Sequence, residues 1–125
     1  MPAYLNLTQH PATPEQRMAG VYDLPFEEQA RLSELLTFHT PPSQDEMNAR
    51  ADDIAALAQQ AGAEFVMLGG APFFMSTLEA ALWDAEIVPR YAFSRRESVE
   101  RVQDDGSVLK VNVFRHAGFV CPAQP

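Results

Sequence analysis

The chain has 125 residues, a length typical of one domain, and 46% of them are hydrophobic, enough to form a core. Its net charge of −8 and isoelectric point near 4.7 argue against non-specific binding to long nucleic acid, which requires an extended basic surface. No run approaches the ~18 apolar residues that span a bilayer. The opening residues lack the pattern of a signal peptide, and the single Cys121 cannot form an internal disulfide. We therefore expect a cytoplasmic protein with no membrane contact.

The first element predicted along the chain is a short strand over residues 4–8, an apolar run that ends in polar residues. A helix start follows it. Thr13 has the position of an N-cap, Pro14 occupies the first helical position, and Gln16 completes a capping box. Gly20 is expected to end this short helix.

The middle of the chain predicts one more short strand and two helices. Residues 21–24 have the composition of a strand, and the apolar spacing over 26–36 is that of a helix. The segment 40–43, Thr-Pro-Pro-Ser, interrupts the helical pattern. Its serine, followed three residues later by a glutamate, predicts the start of another helix, which Gly62 ends.

The second half predicts a buried central strand, a helix, a further strand and a hairpin. These elements are expected at residues 65–68, 72–85 and 87–93, and at 99–102 and 108–113 around an Asp-Asp-Gly-Ser turn. The predicted order is β-α-β-α-α-β-α-β-β. It indicates a single α/β domain over residues 1–125, Rossmann-like, with a mostly parallel sheet, helices on both faces and a C-terminal antiparallel β-hairpin.

Charge is distributed unevenly along the chain. Residues 1–89 carry 3 basic and 13 acidic side chains, a net charge of −10, whereas residues 90–125 carry 6 and 4, a net charge of +2. Clustered cations in an acidic protein indicate either a site for a small anion or a solvated edge hairpin protected by its charge.

Three polar segments follow predicted strands, and in a parallel sheet such segments meet at the carboxyl edge, where ligands bind. They are Thr8-Gln9-His10, Gly69-Gly70-Ala71 and Ser94-Arg95-Arg96. Two glycines before a helix let backbone amides approach a phosphate, and arginines offer paired donors to it. The glycines are equally compatible with a simple tight turn, and His10 with a loop histidine bonded to backbone. Because Arg95 and Arg96 are adjacent, at most one of them easily faces a given pocket.

Other chemistries lack their patterns. The sequence contains no HExxH, no CxxC, no GxGxxG, no Walker lysine and no GxSxG. We therefore expect no metal and no cofactor. The apolar residues of the 72–85 helix, Phe73 and Phe74 among them, are expected to form core or dimer surface.

Two stretches carry a resemblance to a known family. The first is Asn6-Leu-Thr-Gln-His-Pro-Ala-Thr-Pro-Glu-Gln16, and the second is Ser94-Arg-Arg-Glu-Ser-Val-Glu together with Asp105-Gly-Ser-Val-Leu-Lys-Val-Asn-Val-Phe-Arg-His116. They are similar to the opening strand, polar loop and helix start, and to the terminal hairpin, of small stand-alone CRISPR-associated Rossmann-fold (CARF) proteins of the ring-nuclease type. With the Gly69-Gly70 turn, the resemblance covers about half of the chain. It departs from the pattern at Gln9, which separates Thr8 from His10, where the family places the hydroxyl residue beside the histidine.

The resemblance implies a homodimer that binds cyclic oligoadenylate across its two-fold axis and, in ring nucleases, cleaves it without metal. On this basis the candidate catalytic residues are His10, Arg95 and Thr8, and the candidate ligand contacts are Gln9, Gly69, Gly70, Ala71, Ser94 and Arg96. Two alternatives stay open. One is a sensor or sponge that binds the ring without cutting it, and the other is an enzyme acting on a free nucleotide or nucleoside.

Overall fold

The computed structural model describes residues 2–124, which form four helices and a five-stranded sheet in the predicted order. The elements are β1 (Tyr4–Leu7), α1 (Pro14–Met18), β2 (Val21–Asp23), α2 (Phe26–Leu36), α3 (Gln44–Gln60), β3 (Phe65–Leu68), α4 (Pro72–Asp84), β4 (Val88–Val102) and β5 (Val108–Val120). The sheet order is β2-β1-β3-β4-β5, parallel except for the antiparallel β4–β5 pair. The predicted fold class is confirmed.

The helix starts follow from local chemistry. The Thr13 hydroxyl accepts a hydrogen bond from the Gln16 amide at 3.1 Å, and the Gln16 side chain accepts from the Thr13 amide at 3.0 Å, so the predicted capping box is present. Ser43 caps α3 by accepting from the Glu46 amide at 3.1 Å. Thr40–Ser43 therefore forms the predicted break between α2 and α3.

The two faces of the sheet are covered unequally. Helices α2, α3 and α4 pack on one face, where they bury residues such as Ile54, Phe74 and Leu78 completely. The opposite face carries the short α1 and a small cluster in which Tyr4 stacks on Phe119 with ring centroids 4.0 Å apart. Most of the hydrophobic stabilisation of the domain therefore lies on the three-helix side.

The C-terminal strands differ from the prediction. The predicted break between the strand over 87–93 and the hairpin strand over 99–102 is wrong, because β4 runs without interruption from Val88 to Val102. The predicted C-terminal hairpin is present as the pairing of β4 with β5. The polar residues after Phe93 do not end the strand, since β5 pairs with them along their whole length and the segment contains no glycine or proline. A shift in strand register between Phe93 and Ser94 marks the point where β4 continues beyond its parallel neighbour β3.

Beyond that point β4 and β5 form a two-stranded projection, which we call the C-terminal ribbon (residues 94–116). Nine β4 residues, Ser94–Val102, give it a length of about 30 Å. Its tip is the predicted turn, in which the Asp105 carboxylate accepts a hydrogen bond from the Ser107 amide at 2.8 Å. All of residues 93–115 are described, and among them only Val99, Val111 and Val113 are even partly buried.

Gly20 provides a test of the turn between α1 and β2. Its φ is +103°, and a Cβ added there would lie 2.6 Å from the Pro2 carbonyl oxygen, whereas Gly62 has a φ of +71° with open space around it. We expect Gly62→Ala to lower the free energy of unfolding by about 1 kcal/mol, the cost of left-handed backbone. Gly20→Ala should cost about 1–3 kcal/mol more, because the backbone must also shift. Urea denaturation of both variants measures the difference, and equal losses would contradict the predicted clash.

Candidate functional site

The candidate site lies between β1 and β3, where the order in which strands are added to the sheet reverses. From β1 the chain moves outward to β2, whereas from β3 it moves the other way to β4. The loops that follow β1 and β3 therefore diverge and leave a crevice between them, the position at which doubly wound sheets bind ligands. A cavity of about 330 Å³ opens there, and we call it the switch-point cavity. Its lining includes Thr8, Gln9 and His10 from one loop and Gly69 and Gly70 from the other.

Asn6 fixes the shape of the first loop. It is the one polar or charged residue classed as buried among residues 2–124, at 3% exposure. Its amide nitrogen donates to the His10 carbonyl at 2.7 Å and to Asp23 Oδ1 at 2.8 Å. Its amide oxygen lies 2.9 Å from the Thr8 amide and 2.7 Å from the Thr8 hydroxyl. A buried amide with all these partners satisfied holds the loop in one conformation.

Asn6 is not among the site residues predicted from the sequence. The signal available was an asparagine between Leu5 and Leu7 in an otherwise apolar strand, since burying an amide there is costly unless it is fully hydrogen-bonded.

Asp23 supports Asn6 from the end of β2. Besides the Asn6 amide it accepts the Ala12 N–H at 3.1 Å, and its other oxygen pairs with Arg17 at 2.6 Å. Burial is the largest single influence and opposes ionisation. The hydrogen bonds from Asn6 and Ala12 and the attraction to Arg17 together outweigh it, so the pKa of Asp23 lies below its ordinary value. The carboxylate is therefore ionised at neutral pH and ties the β1–α1 loop to β2.

Thr8 brings the two loops together. Its hydroxyl lies within hydrogen-bond distance of Asn6 Oδ1 and, at 3.0 Å, of the His10 carbonyl, so its single proton is used inside the loop. A Cβ on Gly69 would lie 3.1 Å from the Thr8 methyl group. Glycine at this position therefore allows the second loop to approach Thr8 closely.

His10 and Gln9 form the exposed rim of the cavity. The carbonyl of His10 is held by Asn6, while the residue lines the cavity and is exposed to solvent. Gln9 donates from its amide nitrogen to the Thr37 hydroxyl at 2.8 Å, which connects the loop to the end of α2. The imidazole is thus carried on a fixed backbone at the mouth of the cavity.

The second loop leads directly into α4. Ala71 is its N-cap and makes no side-chain capping bond, and Pro72 occupies the first turn of this 13-residue helix. The positive end of the helix and the amides of the preceding glycines therefore lie beside the cavity, an arrangement that favours an anion. Ala71 lines an adjoining cavity of about 370 Å³ together with Gln9 and Gly70.

The third predicted segment is not brought to the cavity. Ser94, Arg95 and Arg96 lie on the exposed ribbon, and none of them lines the cavity. Arg95 pairs across the ribbon with Arg115, whose guanidinium lies 3.7 Å from Glu97. The expectation that these arginines follow a strand end is wrong, because β4 continues through them. Within residues 2–124, no lysine or arginine lines the switch-point cavity.

Residues 2–124 lack two further features. No group of three or more histidine, cysteine, aspartate or glutamate residues is placed to hold a metal ion. Nor is any of the described helices long and apolar enough to cross a membrane.

Comparison with known proteins defines the family. The model of the uncharacterized protein MJ1673 family matches residues 2–120, nearly the whole chain, so the chain belongs to this family. Neither a curated protein nor a solved structure matches the chain.

The role of Asp23 can be tested through pH. Because its pKa is lowered in the folded state, its contribution to stability is present above the unfolded-state pKa of about 3.9 and is lost as the pH falls through the folded-state value. We expect Asp23→Asn to lower the free energy of unfolding by about 1 kcal/mol at pH 7. The difference from wild type should shrink below pH ~4. Urea denaturation at pH 7 and pH 3 measures both values.

Asp53→Asn is the matched control, because that carboxylate is 57% exposed and pairs with Arg31 at the surface, 3.3 Å away. It should change stability little at either pH. A loss for Asp23→Asn that is the same at both pH values would contradict the assigned ionisation.

Proposed function

We propose that the switch-point cavity binds cyclic oligoadenylate and that the protein cleaves this ring. One observation carries the proposal. The polar Thr8–His10 loop and the Gly69–Gly70 turn, with the uncapped start of α4, meet at one opening. Backbone amides at a helix start suit a phosphate, and an accessible imidazole beside them suits proton transfer. The resemblance to CARF proteins supplies the identity of the ring, and the reaction would take place in the cytoplasm.

The proposed reaction is an attack within the ring. A ribose 2′-oxygen forms a bond to the adjacent phosphorus while the bond from phosphorus to the 5′-oxygen breaks, which leaves a 2′,3′-cyclic phosphate. His10 takes the proton of the 2′-hydroxyl, and the leaving 5′-oxygen receives a proton from solvent. Amides at Gly69–Gly70 stabilise the charge that develops on the phosphate oxygens. Holding the 2′-oxygen in line with the bond that breaks supplies much of the rate, and no metal is required.

Thr8 and the arginines have different parts in this proposal. The Thr8 hydroxyl is engaged with Asn6 and His10, so Thr8 acts by positioning the loop. Arg95 and Arg96 lie outside the cavity of their own chain. A phosphate-rich ring needs cationic partners, and the ribbon of a second copy is the source that we propose.

A homodimer is supported by the ribbon itself. A two-stranded ribbon is marginally stable alone, and a long exposed edge strand favours pairing with another chain. Val99, Val111, Val113 and Leu109 share one face of the ribbon, and Leu109 is 48% exposed. The segment that contains the ribbon is basic, whereas residues 1–89 carry a net charge of −10. We propose that each ribbon packs with this face on the body of the other copy and carries Arg95, which lies on the same face, towards its cavity.

The catalytic proposal predicts the effect of His10→Ala. We expect cleavage of cyclic tetra-adenylate to slow by about 100-fold or more, with little change in binding, because proton transfer contributes only in the transition state. Activity should persist in EDTA, and a ring of deoxyadenosine should bind without being cut. Single-turnover assays with labelled ring and a separate binding titration measure these effects. His116→Gln serves as the control histidine, since His116 packs against Phe119 rather than lining the cavity.

Equal losses of binding and rate in His10→Ala would make His10 a ligand contact only. Binding without any cleavage by the wild type would favour a sensor that does not cut the ring.

The dimer proposal predicts the effect of shortening the ribbon. Replacing residues 97–113 by Asn-Gly removes most of the ribbon and closes it with a favourable hairpin turn. We expect the wild type to scatter light as twice the chain mass of 13.9 kDa and the shortened chain to scatter as a monomer. The thermal midpoint of the shortened chain at low protein concentration should stay near that of the dissociated wild type, because the core lies outside the ribbon.

A mixing experiment tests whether the arginines act on the partner's cavity. His10→Ala alone and the double variant Arg95→Ala/Arg96→Ala alone should each cut the ring only at a small fraction of the wild-type rate. In an equal mixture, half of the dimers contain one chain of each variant. In such a dimer, one of the two cavities has His10 from its own chain and the native arginines from the partner. About a quarter of all cavities are then complete, so about a quarter of wild-type activity should return. No recovery would contradict the proposed exchange.

A further inference from the structure

Next to the switch-point cavity lie two further cavities with aromatic walls, and the proposed cleavage reaction does not use them. Gln9 and Gly70 line both the switch-point cavity and the adjoining cavity, which also includes Phe38 and Phe73. These two phenylalanines in turn line a third cavity of about 550 Å³, which Pro41 and Pro42 also line. We call this third cavity the aromatic cleft. Because each cavity shares two lining residues with the next, the three cavities lie side by side between the glycine turn and α3.

Phe38 is held rigidly at the base of the cleft. The Arg50 guanidinium lies over its ring, 4.3 Å from the centroid, and also donates to the Thr37 and Leu35 carbonyls at 2.5 and 3.2 Å. The Phe74 ring meets Phe38 edge-on with centroids 5.2 Å apart. One face and one edge of the Phe38 ring are therefore fixed by neighbours, so the base of the cleft is formed before any ligand binds.

Phe73 is the exposed wall of the cleft. Its ring lies 5.3 Å from Phe38 in an edge-to-face arrangement, and 55% of the residue is accessible to solvent. It belongs to the first turn of α4, directly after Gly70, Ala71 and Pro72. The helix start that offers positive charge to an anion therefore also offers an aromatic ring within the same turn.

We propose that the aromatic cleft is a nucleobase subsite. A purine base packs against Phe73 and Phe38 while the phosphate joined to it lies at the Gly69–Gly70 turn. Aromatic rings bind bases by stacking, and side chains such as His39 and Thr40 at the rim of the cleft can bond the edge of the base. The position of the phosphate at the Gly69–Gly70 turn rests on the proposed function, whereas the position of the base in the aromatic cleft does not.

The first experiment uses methyl groups as local probes. Among the five methionines, Met67 lines the switch-point cavity, Met47 lines the aromatic cleft, and Met18 is 83% exposed and lines neither. The protein, labelled with ¹³C at the methionine methyls, is titrated with AMP and separately with ribose 5-phosphate, and NMR spectra are recorded. AMP should shift Met67 and Met47, because the ring current of the base acts on Met47, whereas ribose 5-phosphate should shift Met67 and leave Met47 unmoved. Met18 should not respond to either compound.

The second experiment uses three variants. Phe73→Ala should weaken AMP binding by about fivefold to a hundredfold, the range expected for loss of one base–aromatic stack. Phe73→Tyr keeps the ring and should bind AMP nearly as the wild type does. Phe26→Ala is the matched control, since Phe26 is an 85% exposed phenylalanine that lines none of the three cavities. Circular dichroism confirms that each variant is folded.

The outcomes separate the two proposals. If AMP leaves Met47 unmoved, or if Phe73→Ala binds AMP as tightly as the wild type, the nucleobase subsite is overturned, whatever happens to the ring. If AMP shifts Met47 and Phe73→Ala weakens its binding, the subsite is supported even where cyclic tetra-adenylate is neither bound nor cut. In that last case the proposed function fails and the subsite serves another purine nucleotide.

Discussion

The buried side chain of Asn6 is the interaction on which the candidate site depends. It sits inside an apolar strand, and through one amide group it reaches the Thr8 hydroxyl, the His10 carbonyl and Asp23. An amide buried without these partners would destabilise the core, so the loop and the end of β2 must take the positions that satisfy it. The same requirement fixes the backbone that carries His10. The stability of the strand and the geometry of the cavity mouth therefore have one cause.

The distance between the arginines of the C-terminal ribbon and the switch-point cavity is a second constraint on ligand binding. No lysine or arginine lines the switch-point cavity among the described residues, while Arg95, Arg96 and Arg101 of the C-terminal ribbon lie exposed outside it. An anionic ligand at the cavity gains only backbone amides and the end of α4 from its own chain. Arginines from a second copy would bind the anion more strongly, because charge-assisted hydrogen bonds are about twice as strong as neutral ones. In our proposal, assembly and ligand binding therefore support one another.

Local signals in the sequence were reliable where the interaction they describe is itself local. The capping box of Thr13 and Gln16 closes within four residues, and the glycine turn after β3 separates a buried strand from a helix. Such features depend on neighbouring residues alone. The strand end expected at Phe93 failed for the opposite reason. Polar residues there resemble a loop, but their backbone groups pair with β5: Ser94, Arg95 and Arg96 pair with His116, Arg115 and Phe114, which are distant in the sequence.

The sequence by itself determined the order of the elements and the α/β class, because hydrophobic periodicity and capping chemistry depend on residues that are close in the sequence. Of the three polar segments predicted at the carboxyl edge, it determined two correctly. Only the tertiary structure decided which side chains share a cavity. It placed Gln9 in one cavity with Phe38 and Phe73, which are 35 positions apart in the sequence, and it placed Arg95 and Arg96 outside the switch-point cavity. Those outcomes depend on strand pairing and helix packing between distant segments, and no local pattern encodes them.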